Sequence, residues 1–582
     1  MRMMKCLVCL VTVTSILSMA CERRQKGGNE KTRPNMPIGK KEAPLSAPEN
    51  ETGNSPDRSP LTVLSDSLPP FTPCPHFPAL HCFALSMPLD HAASEGQSKS
   101  KLVTFAMRPA DDPAAQEALL VLFGGPGDPG VFGLGRWLDR IDPRLKQRFT
   151  IVTMDLRGVQ GSGQMDCQAA SRVFSFTPPW VYSQEEIASL ATAAEKAAQD
   201  CVSELGQAPD ELLFYNSKEA AADLESFRKL LGIETWNVYA LSYGTQLAQT
   251  YAQRFPGHTR ALVLDGAVDL NADLLTYERE LTLAQNQIFA DLDRACREMP
   301  ACKAAFQSVA KKGGFFAPTA VYDLLFAQLL ENNVSMALPS TQDAAITESI
   351  EMSANDLEYA LSGSITYPAG RARFLWALSR AWRDGDFTPL YRIADGRMEP
   401  AFASASELVA RPAVMKELPY SSAGVFWTFI CNDYGAPEGA DAWSRFDGFV
   451  QQALPLQAEG LRLHGPLFSE SVCAYWPGVK GPQARPPLFT GTGIPTLVIG
   501  ATADGNVPFV QAQRIAARLD KGSLIRVTGS QHVSYSYHIS CVNEVVNQLF
   551  LEKVLPDARE VTCTDIFLGP WPLAKVSQES KP

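Results

Sequence analysis

The chain has 582 residues, of which 45% are hydrophobic and 9% aromatic, so it can bury a large core and is too long to be one small domain. Its formal net charge is -11, and its lysines and arginines form no cluster interleaved with aromatic residues. A groove that follows a nucleic-acid backbone needs the opposite charge, so we expect no nucleic-acid partner.

The N-terminus has the pattern of an export signal. Two basic residues precede an apolar run from Cys6 to Leu17, which is short for a permanent membrane span, and Ser18-Met19-Ala20-Cys21 follows. The pattern predicts a signal peptide over residues 1–20 and a mature protein that is periplasmic, at the cell surface or secreted. Because the cleavage region resembles a bacterial lipoprotein signal, we expect lipid on Cys21 and membrane attachment through it. Ordinary cleavage after Ala20 and retention of the segment as an anchor are the alternatives.

Residues 21–70 are rich in Pro, Gly, Ser, Lys and Glu, and no aromatic residue follows the signal before Phe71. Such a segment cannot bury enough apolar surface to offset the entropy of ordering its backbone. We therefore expect a disordered tether that holds the folded part away from a membrane surface.

Ten cysteines lie beyond Cys21, and ten is an even number. In an oxidising compartment an even set indicates disulfides, and pairing neighbours in the sequence predicts five local bridges. Zinc is the rival use, but the mature chain has no Cys-x-x-Cys pair and no histidine at ligand spacing from one, so we expect no metal. In chain order the ten are Cys74, Cys82, Cys167, Cys201, Cys296, Cys302, Cys431, Cys473, Cys541 and Cys563.

The folded part reads as an α/β core with an inserted helical cap. Several candidate strands are apolar on both faces, as buried strands of a parallel sheet must be, and helical patterns lie between them, notably Lys218 to Leu231 and Thr245 to Phe255. This alternation predicts a doubly wound, mostly parallel sheet. The candidate strands are Leu102 to Met107, Ala118 to Phe123, Phe149 to Asp155, Trp236 to Leu241, Ala261 to Leu264, Pro495 to Gly500 and Leu524 to Val527.

Residues 270–485 interrupt the alternation and read as mainly helical, with helices predicted at Leu274 to Cys296, Asn355 to Leu361 and Ala372 to Arg383. We interpret this stretch as a cap inserted between the strand that ends near Asp265 and the strand that begins at Pro495. The core is then discontinuous, with a first part at 71–269 and a second at 486–570.

Ser242 has the features of a nucleophile elbow. A predicted strand ends just before it and a helix begins just after it, and Ala240 and Gly244 are small enough for the chain to turn sharply there. A turn of this kind leaves the serine hydroxyl exposed. The sequence therefore predicts Ser242 as a catalytic nucleophile.

An activated serine needs a base and an acid that orients the base. Asp504 follows the strand from Pro495, and His532 follows the next strand, so all three residues fall at the carboxyl edge of the sheet in the order Ser, Asp, His. We predict Asp504 as the acid and His532 as the base. Asp265 is the alternative acid, and His538 is the alternative base.

The oxyanion hole needs backbone N–H groups from the residue after the nucleophile and from a loop that follows an earlier strand. Tyr243 supplies the first. Gly125, in the loop Phe123-Gly124-Gly125-Pro126-Gly127, supplies the second, because glycines let the backbone approach the substrate oxygen closely.

These motifs resemble the tripeptidyl aminopeptidase and proline iminopeptidase branch of the α/β-hydrolases, over residues 71–567. The loop at Gly124 and the elbow at Ser242 carry the likeness, together with Asp155-Leu156-Arg157-Gly158, Leu264-Asp265-Gly266, Ile430-Cys431-Asn432-Asp433 and Cys473-Ala474-Tyr475-Trp476-Pro477. Two residues depart from the family pattern: Phe123 replaces a histidine found in many iminopeptidases, and Ala240 replaces the usual elbow glycine.

The resemblance implies an exported exopeptidase that acts on oligopeptides without a cofactor. It binds the free amine of a substrate in an acidic pocket beneath the cap. Asp433 is one cap carboxylate for that amine, with bracing of the Cys431 region as its other role. The triad alone does not distinguish an amide from an ester, so an esterase or lipase is the alternative, and an inactive hydrolase fold used for binding is a second. Peptide length and oligomeric state stay open.

Overall fold

The computed structural model describes residues 72–564, apart from 95, 176, 178–182, 308–313, 340–346, 395–420 and 537–538. The predicted signal peptide, the lipidated Cys21 and the tether therefore lie outside the described residues. Within them, no helix combines the length and the apolar character that crossing a bilayer requires.

The described strands form one large sheet and one small hairpin. In the large sheet the spatial order is β1-β2-β3-β5-β4-β6-β7-β10-β11-β12, and β8 pairs with β9 alone. In chain order they are β1 (Thr72–Cys74), β2 (Phe77–Pro88), β3 (Ser100–Arg108), β4 (Glu117–Leu122), β5 (Phe149–Met154), β6 (Trp236–Leu241), β7 (Thr259–Asp265), β8 (Val334–Pro339), β9 (Thr347–Met352), β10 (Thr496–Ala501), β11 (Gly522–Thr528) and β12 (Glu560–Thr564).

Every neighbouring pair from β5 to β12 in this order is parallel, whereas β1, β2 and β3 add to the sheet in antiparallel fashion. The predicted fold class, a doubly wound and mostly parallel sheet, is confirmed. Parallel strands place their carboxyl ends at one edge of the sheet, so the residues that follow β6, β10 and β11 are brought to the same edge.

Helices connect the strands of the core. Their bounds are Gly130–Trp137, Pro143–Arg148, Gln168–Ser175, Gln184–Leu205, Pro209–Leu212, Ser217–Leu230, Tyr243–Arg254, Phe509–Arg518 and Ser540–Glu552, with short 3₁₀ turns at Gln160–Ser162 and Pro256–His258. The apolar alternation of the central strands explains why helices cover both faces. In β4, Leu119 and Val121 join one buried cluster, whereas Leu120 and Leu122 join the cluster on the opposite face.

Between β7 and β10 the chain is mainly helical, and we call the elements from Leu274 to Tyr475 the cap. Its helices are Leu274–Glu298, Pro300–Ala305, Pro318–Glu331, Ala354–Ile365, Pro368–Asp384, Thr388–Ala394, Ala423–Tyr434, Ala442–Ala458 and Gly465–Phe468, followed by the 3₁₀ turn Ser471–Tyr475. Part of the cap has an apolar cluster of its own, which includes Phe289, Tyr322 and Phe374. The domain boundaries at 270 and 485 stay a prediction.

Five strands are absent from the predicted set: β1, β2, β8, β9 and β12. The long strand β2 has several buried residues, whereas β12 and the β8–β9 hairpin have few. In β12 only Cys563 is buried, so this edge strand has no apolar run. In the β8–β9 hairpin, which belongs to the cap, most residues of β9 are exposed. Apolar periodicity cannot reveal strands that bury so little.

Five disulfides join the ten cysteines. They pair Cys74 with Cys82, Cys167 with Cys201, Cys296 with Cys302, Cys431 with Cys473, and Cys541 with Cys563. The predicted pairing of sequence neighbours is confirmed. The bridge Cys296–Cys302 joins the first two helices of the cap. The bridge Cys541–Cys563 joins the helix Ser540–Glu552 to β12 at the edge of the sheet.

Candidate active site

Ser242 is the single residue between β6 and the helix Tyr243–Arg254. Its φ is 53°, in the positive range that a non-glycine residue rarely adopts, and its N–H donates a hydrogen bond of 2.9 Å to the Asp265 carbonyl. The backbone is therefore held in a sharp, strained turn. This is the geometry of a nucleophile elbow, which lifts the serine hydroxyl above the sheet edge.

Two glycines that contact the elbow, Gly124 and Gly244, make this turn possible. A Cβ on Gly124 would lie 2.9 Å from the Cβ of Ser242, and a Cβ on Gly244 would collide with the carbonyl oxygens of Leu122 and Phe123. Ala240, where the family usually has glycine, is fully buried in β6. The elbow therefore accommodates the methyl group of Ala240, two residues before the serine. A side chain at Gly244, two residues after it, would clash.

His532 and Asp504 form a hydrogen-bonded pair near the elbow. The His532 Nδ1 lies 2.9 Å from Asp504 Oδ2 and 3.1 Å from Oδ1. The Asp504 carboxylate also accepts hydrogen bonds from the N–H groups of Asn506 and Val507. Because Nδ1 is engaged by the carboxylate, Nε2 is the ring nitrogen left to exchange a proton with a serine.

The electrostatic surroundings favour a protonated His532. Burial lowers the pKa of the imidazole, but the charge and the hydrogen bond of Asp504 more than offset this, so the pKa is raised above its ordinary value. The carboxylates of Asp265 and Asp128 add to the rise. An imidazole that takes up a proton readily is suited to receive one from an attacking hydroxyl.

Asp265, the alternative acid, has another set of partners. It accepts hydrogen bonds from the N–H groups of Ser534 and Tyr535 and from the Tyr239 hydroxyl. Burial raises the pKa of Asp265 to about 6. This carboxylate braces the loop that follows His532. The alternative base, His538, lies outside the described residues.

The predicted oxyanion donors both reach the Ser242 cavity. Gly125 adopts a φ of 104°, which glycine accepts without strain, and Tyr243 is the first residue of its helix. A first-turn N–H has no acceptor within its own helix and lies at the positive end of the helix dipole. Both N–H groups are thus available to a developing oxyanion, and their role in catalysis stays a prediction.

The cavity around Ser242 has a volume of about 490 Å³ and reaches from His532 to the cap. Among the described residues that line it are the acids Asp128, Glu278 and Glu470, and none is a lysine or an arginine. Within the described chain, no cluster of three or more His, Cys, Asp or Glu side chains has the arrangement of a metal site. The cavity therefore offers negative charge to a ligand beside a serine.

Two of these acids, Glu278 and Glu470, form a buried pair. Their exposed fractions are 2% and 6%, and the Ser469 hydroxyl lies within hydrogen-bonding distance of both carboxylates. The Glu278 Oε1 has no hydrogen-bond partner within the described residues. Burial raises the pKa of both groups, and the neighbouring charge of Glu470 adds to the rise for Glu278. A proton held between the two carboxyl groups satisfies the pair, and a bound cation can take the place of that proton.

The sequence analysis missed this pair. Glu278 belongs to the helix Leu274–Glu298, which Asp273 caps, and it occupies the same buried face as Leu274, Thr282 and Gln285. A carboxylate at a core-facing position of an amphipathic helix was the available signal. Glu470 lies outside regular periodic structure, and no local pattern marks it.

Cap residues also hold the loop that carries Asp504. The Tyr277 hydroxyl donates to the Asn506 carbonyl, Gln285 Nε2 donates to the Gly505 carbonyl, and Arg371 Nη2 donates to the Ala503 carbonyl, at 2.8, 2.8 and 2.9 Å. Burial lowers the pKa of Arg371 to about 10, against the opposing charge of Asp504. The cap therefore positions the acid of the predicted triad.

Asp433 does not face Ser242. Its carboxylate accepts hydrogen bonds from the N–H and hydroxyl of Ser217 and from Gln246 Nε2, and the Ser217 hydroxyl lies 2.6 Å from that of Tyr243. It lines a neighbouring cleft and is absent from the described lining of the Ser242 cavity. These partners give Asp433 a bracing role rather than that of an amine ligand in the Ser242 cavity, and the groups that it braces are Ser217 and Gln246 rather than the Cys431 region.

Comparisons with known proteins agree with this geometry. Residues 117–538 match the sequence model of the alpha/beta hydrolase fold family. The serine protease Hip1 of Mycobacterium tuberculosis is 25% identical over 82% of this chain and 86% of its own. Carboxylesterase B of the same organism is 25% identical over 82% and 85%, and the tripeptidyl aminopeptidase of Streptomyces lividans is 24% identical over 83% of each chain.

Proposed function

This chain belongs to the α/β-hydrolase fold family, and from that premise we propose that it is a serine aminopeptidase that releases short peptides or single residues from the N-termini of oligopeptides. The observation that carries the proposal is the buried Glu278–Glu470 pair in the wall of the cavity that holds Ser242. A nucleophile and an amine-binding site in one cavity are what cleavage at a fixed distance from a free N-terminus requires.

In the proposed reaction, Ser242 Oγ attacks the carbonyl carbon of the scissile amide while His532 Nε2 takes the hydroxyl proton. The negative charge that develops on the carbonyl oxygen is stabilised by the N–H groups of Gly125 and Tyr243. His532 then gives its proton to the leaving amine, and the amide C–N bond breaks to leave an acyl-enzyme on Ser242. Water, deprotonated by His532, attacks the ester carbonyl. The C–O bond to Ser242 then breaks, and His532 returns the proton to Ser242 Oγ, while Asp504 keeps the imidazole oriented throughout.

The acid pair supplies the selection for a free amine. An α-amino group has a pKa of about 7.7–8.0, so it enters largely as an ammonium near neutral pH. Its three N–H donors match the four carboxylate oxygens of Glu278 and Glu470, including the unpartnered Glu278 Oε1. Binding of the cation displaces any proton that the pair retains because of its raised pKa values.

The relatives support a hydrolytic reaction more strongly than they support any one class of substrate. The names protease and tripeptidyl aminopeptidase favour an amide substrate, whereas the name carboxylesterase, at the same level of identity, keeps an ester hydrolase as the second candidate. The buried acid pair beside the nucleophile favours the exopeptidase, because a neutral ester offers those carboxyl groups no cation to bind.

Kinetics with matched substrates test the proposal. Nitroanilides of one, two and three residues are compared with their N-acetylated twins and with nitrophenyl esters. We expect the free-amine peptides to exceed the acetylated ones by about 100-fold in kcat/KM, since a buried charge loses its partner when the amine is blocked. Equal cleavage of free and acetylated peptides would overturn the proposal, and ester hydrolysis without cleavage of any peptide would favour the esterase.

We further propose that the enzyme works outside the cytoplasm. The five disulfides support this location, because such bonds persist in oxidising compartments. Attachment through a lipid on Cys21 is tested by expressing the full chain in a bacterial host with labelled palmitate. Label that is lost in Cys21→Ser supports the anchor, and an unlabelled wild-type protein contradicts it.

A further inference from the structure

A second space of about 340 Å³, which we call the distal chamber, lies next to the Ser242 cavity. The two spaces share three lining residues, Leu281, Phe426 and Glu470. Because Glu470 borders both, the distal chamber begins where the proposed amine site ends.

We propose that the distal chamber binds the side chain of the substrate's N-terminal residue and selects an aromatic one, with tyrosine as the best match. The inference rests on the proposed function, because it needs the substrate amine between Glu278 and Glu470. The peptide backbone then fills the space from Ser242 to the acid pair. Nothing precedes an N-terminal residue, so only the side chain on the same Cα as the amine can extend past Glu470.

The size and walls of the chamber favour a ring. A cavity of roughly 150 Å³ is enough to bind benzene, so about 340 Å³ accepts a benzyl or phenol group with room to spare. Phe174 and Trp427 meet edge to face with ring centroids 6.1 Å apart, and both are buried. Phe426 and Phe468 complete an aromatic lining against which a further ring can pack with favourable geometry.

The polar groups of the chamber favour a neutral donor over a cation. Gln285 lines the chamber with 6% exposure, its Nε2 is fixed on the Gly505 carbonyl, and its Oε1 has no partner within the described residues. This oxygen can accept the hydroxyl proton of a tyrosine. Glu358 is already compensated by the N–H groups of His464 and Gly465 and by the His464 ring. Glu470, the other acid of the lining, is taken by the substrate amine, so a lysine side chain finds no unpaired carboxylate in the chamber.

Wild-type enzyme tests the inference without any variant. Nitroanilides of the best-cleaved length are compared with Gly, Ala, Leu, Phe, Tyr or Lys at the N-terminus. We expect Phe and Tyr to exceed Gly at least about tenfold in kcat/KM, because a single methylene in an apolar pocket already gives that factor. Equal rates for Gly and Tyr, or a preference for Lys, would overturn the inference.

A variant that fills the distal chamber tests whether the preference for an N-terminal aromatic residue arises there. Ser362 is a half-buried residue of the helix Ala354–Ile365 that lines the chamber, and Ser362→Phe places a ring inside it. We expect the Tyr-to-Gly ratio of kcat/KM to fall about tenfold. Gly363→Phe is the matched control, because an added Cβ at Gly363 meets nothing within 4 Å and the ring points to solvent. An unchanged ratio in Ser362→Phe would contradict the assignment.

The two failures are distinguishable. If acetylated and free peptides are cleaved alike, the amine site is wrong and the proposed function fails with it. If a free amine is required but its side chain makes no difference, the aminopeptidase stands and the distal chamber is not its side-chain pocket.

Discussion

The core and the cap contribute to the active site in different ways. Ser242, Asp504 and His532 each follow a parallel strand, β6, β10 or β11, so the sheet itself delivers them to one edge. Glu278 and Glu470 come from cap segments far apart in sequence, and they meet only because the cap folds over that edge. In the proposed function the core therefore carries the hydrolytic reaction, whereas the cap carries the carboxylates that select the substrate.

The cap also supports the loop that carries Asp504. Tyr277, Gln285 and Arg371 each donate a hydrogen bond to a backbone carbonyl of the loop 503–506, which holds Asp504. A change in the cap can therefore reach the chemistry through this loop as well as the substrate through the acid pair. Variants that change only one of these two effects would show which step of the reaction depends on the core and which on the cap.

The largest expected effect belongs to the core. Ser242→Ala removes the nucleophile, and we expect kcat to fall by at least about 10⁴-fold on peptides and esters alike. Ser226→Ala, on a neighbouring core helix, is the control for folding and expression. Residual turnover within tenfold of wild type would show that another residue attacks the substrate. The assignment of the nucleophile to Ser242 of the core would then be wrong.

The acid pair is expected to give the next largest effect. Glu470→Gln and Glu278→Gln each leave a neutral group of the same shape, and we expect kcat/KM for free-amine peptides to fall about 100-fold, since a buried ammonium loses its counter-charge. Ester hydrolysis should change much less, because the chemistry lies in the core. The exposed cap residue Glu459 supplies the control Glu459→Gln.

A parallel loss of peptide and ester activity in the acid-pair variants would argue against amine binding. It would mean that these carboxylates support the fold of the cavity. Retained peptide activity in both variants would equally contradict the assignment.

Arg371→Met tests the support that the cap gives to the acid loop. The change removes the hydrogen bond to the Ala503 carbonyl, a charge-assisted bond whose loss costs about 1.5–3 kcal/mol, and we expect kcat to fall about tenfold on both peptides and esters. Arg380→Met, on the exposed side of the same helix, is the matched control. A loss confined to peptides would place Arg371 in substrate binding rather than in positioning Asp504.

The pH dependence separates the two regions without mutation. His532 must be neutral to act as a base and its pKa is raised, so kcat/KM for every substrate should rise with pH through a value above about 6.5. Peptides should show a second, alkaline limb near about pH 8, where the substrate amine loses its charge. Esters without an amine should lack that limb. Superimposable profiles for peptides and esters would contradict the amine site.

Asp433→Asn should give the smallest change in selectivity. Asp433 lies between Ser217 and Gln246 and outside the Ser242 cavity, so we expect the preference for a free amine to stay within about twofold of wild type. Stability should fall by about 1–3 kcal/mol in denaturant titration, because a buried network loses a charged acceptor. Loss of the preference for free-amine over acetylated peptides would indicate that Asp433 binds the substrate amine.

The same contrast explains what the sequence could predict. Strand ends, the elbow at Ser242 and the loop at Gly125 are marked by local patterns of small and apolar residues, so the fold class and the residues at the sheet edge could be predicted. The disulfide pairing was accessible because each bridge joins neighbouring cysteines. Glu278 left only a faint signal, an acid on an apolar helix face, and Glu470 and Arg371 left none. Their roles depend on tertiary contacts between distant segments.

The most direct measurement follows an intact oligopeptide by mass spectrometry, side by side with its N-acetylated twin. The account predicts short fragments released stepwise from the free N-terminus, none from the acetylated peptide, and none from either with Ser242→Ala. Cleavage inside the acetylated peptide at the same rate would contradict it.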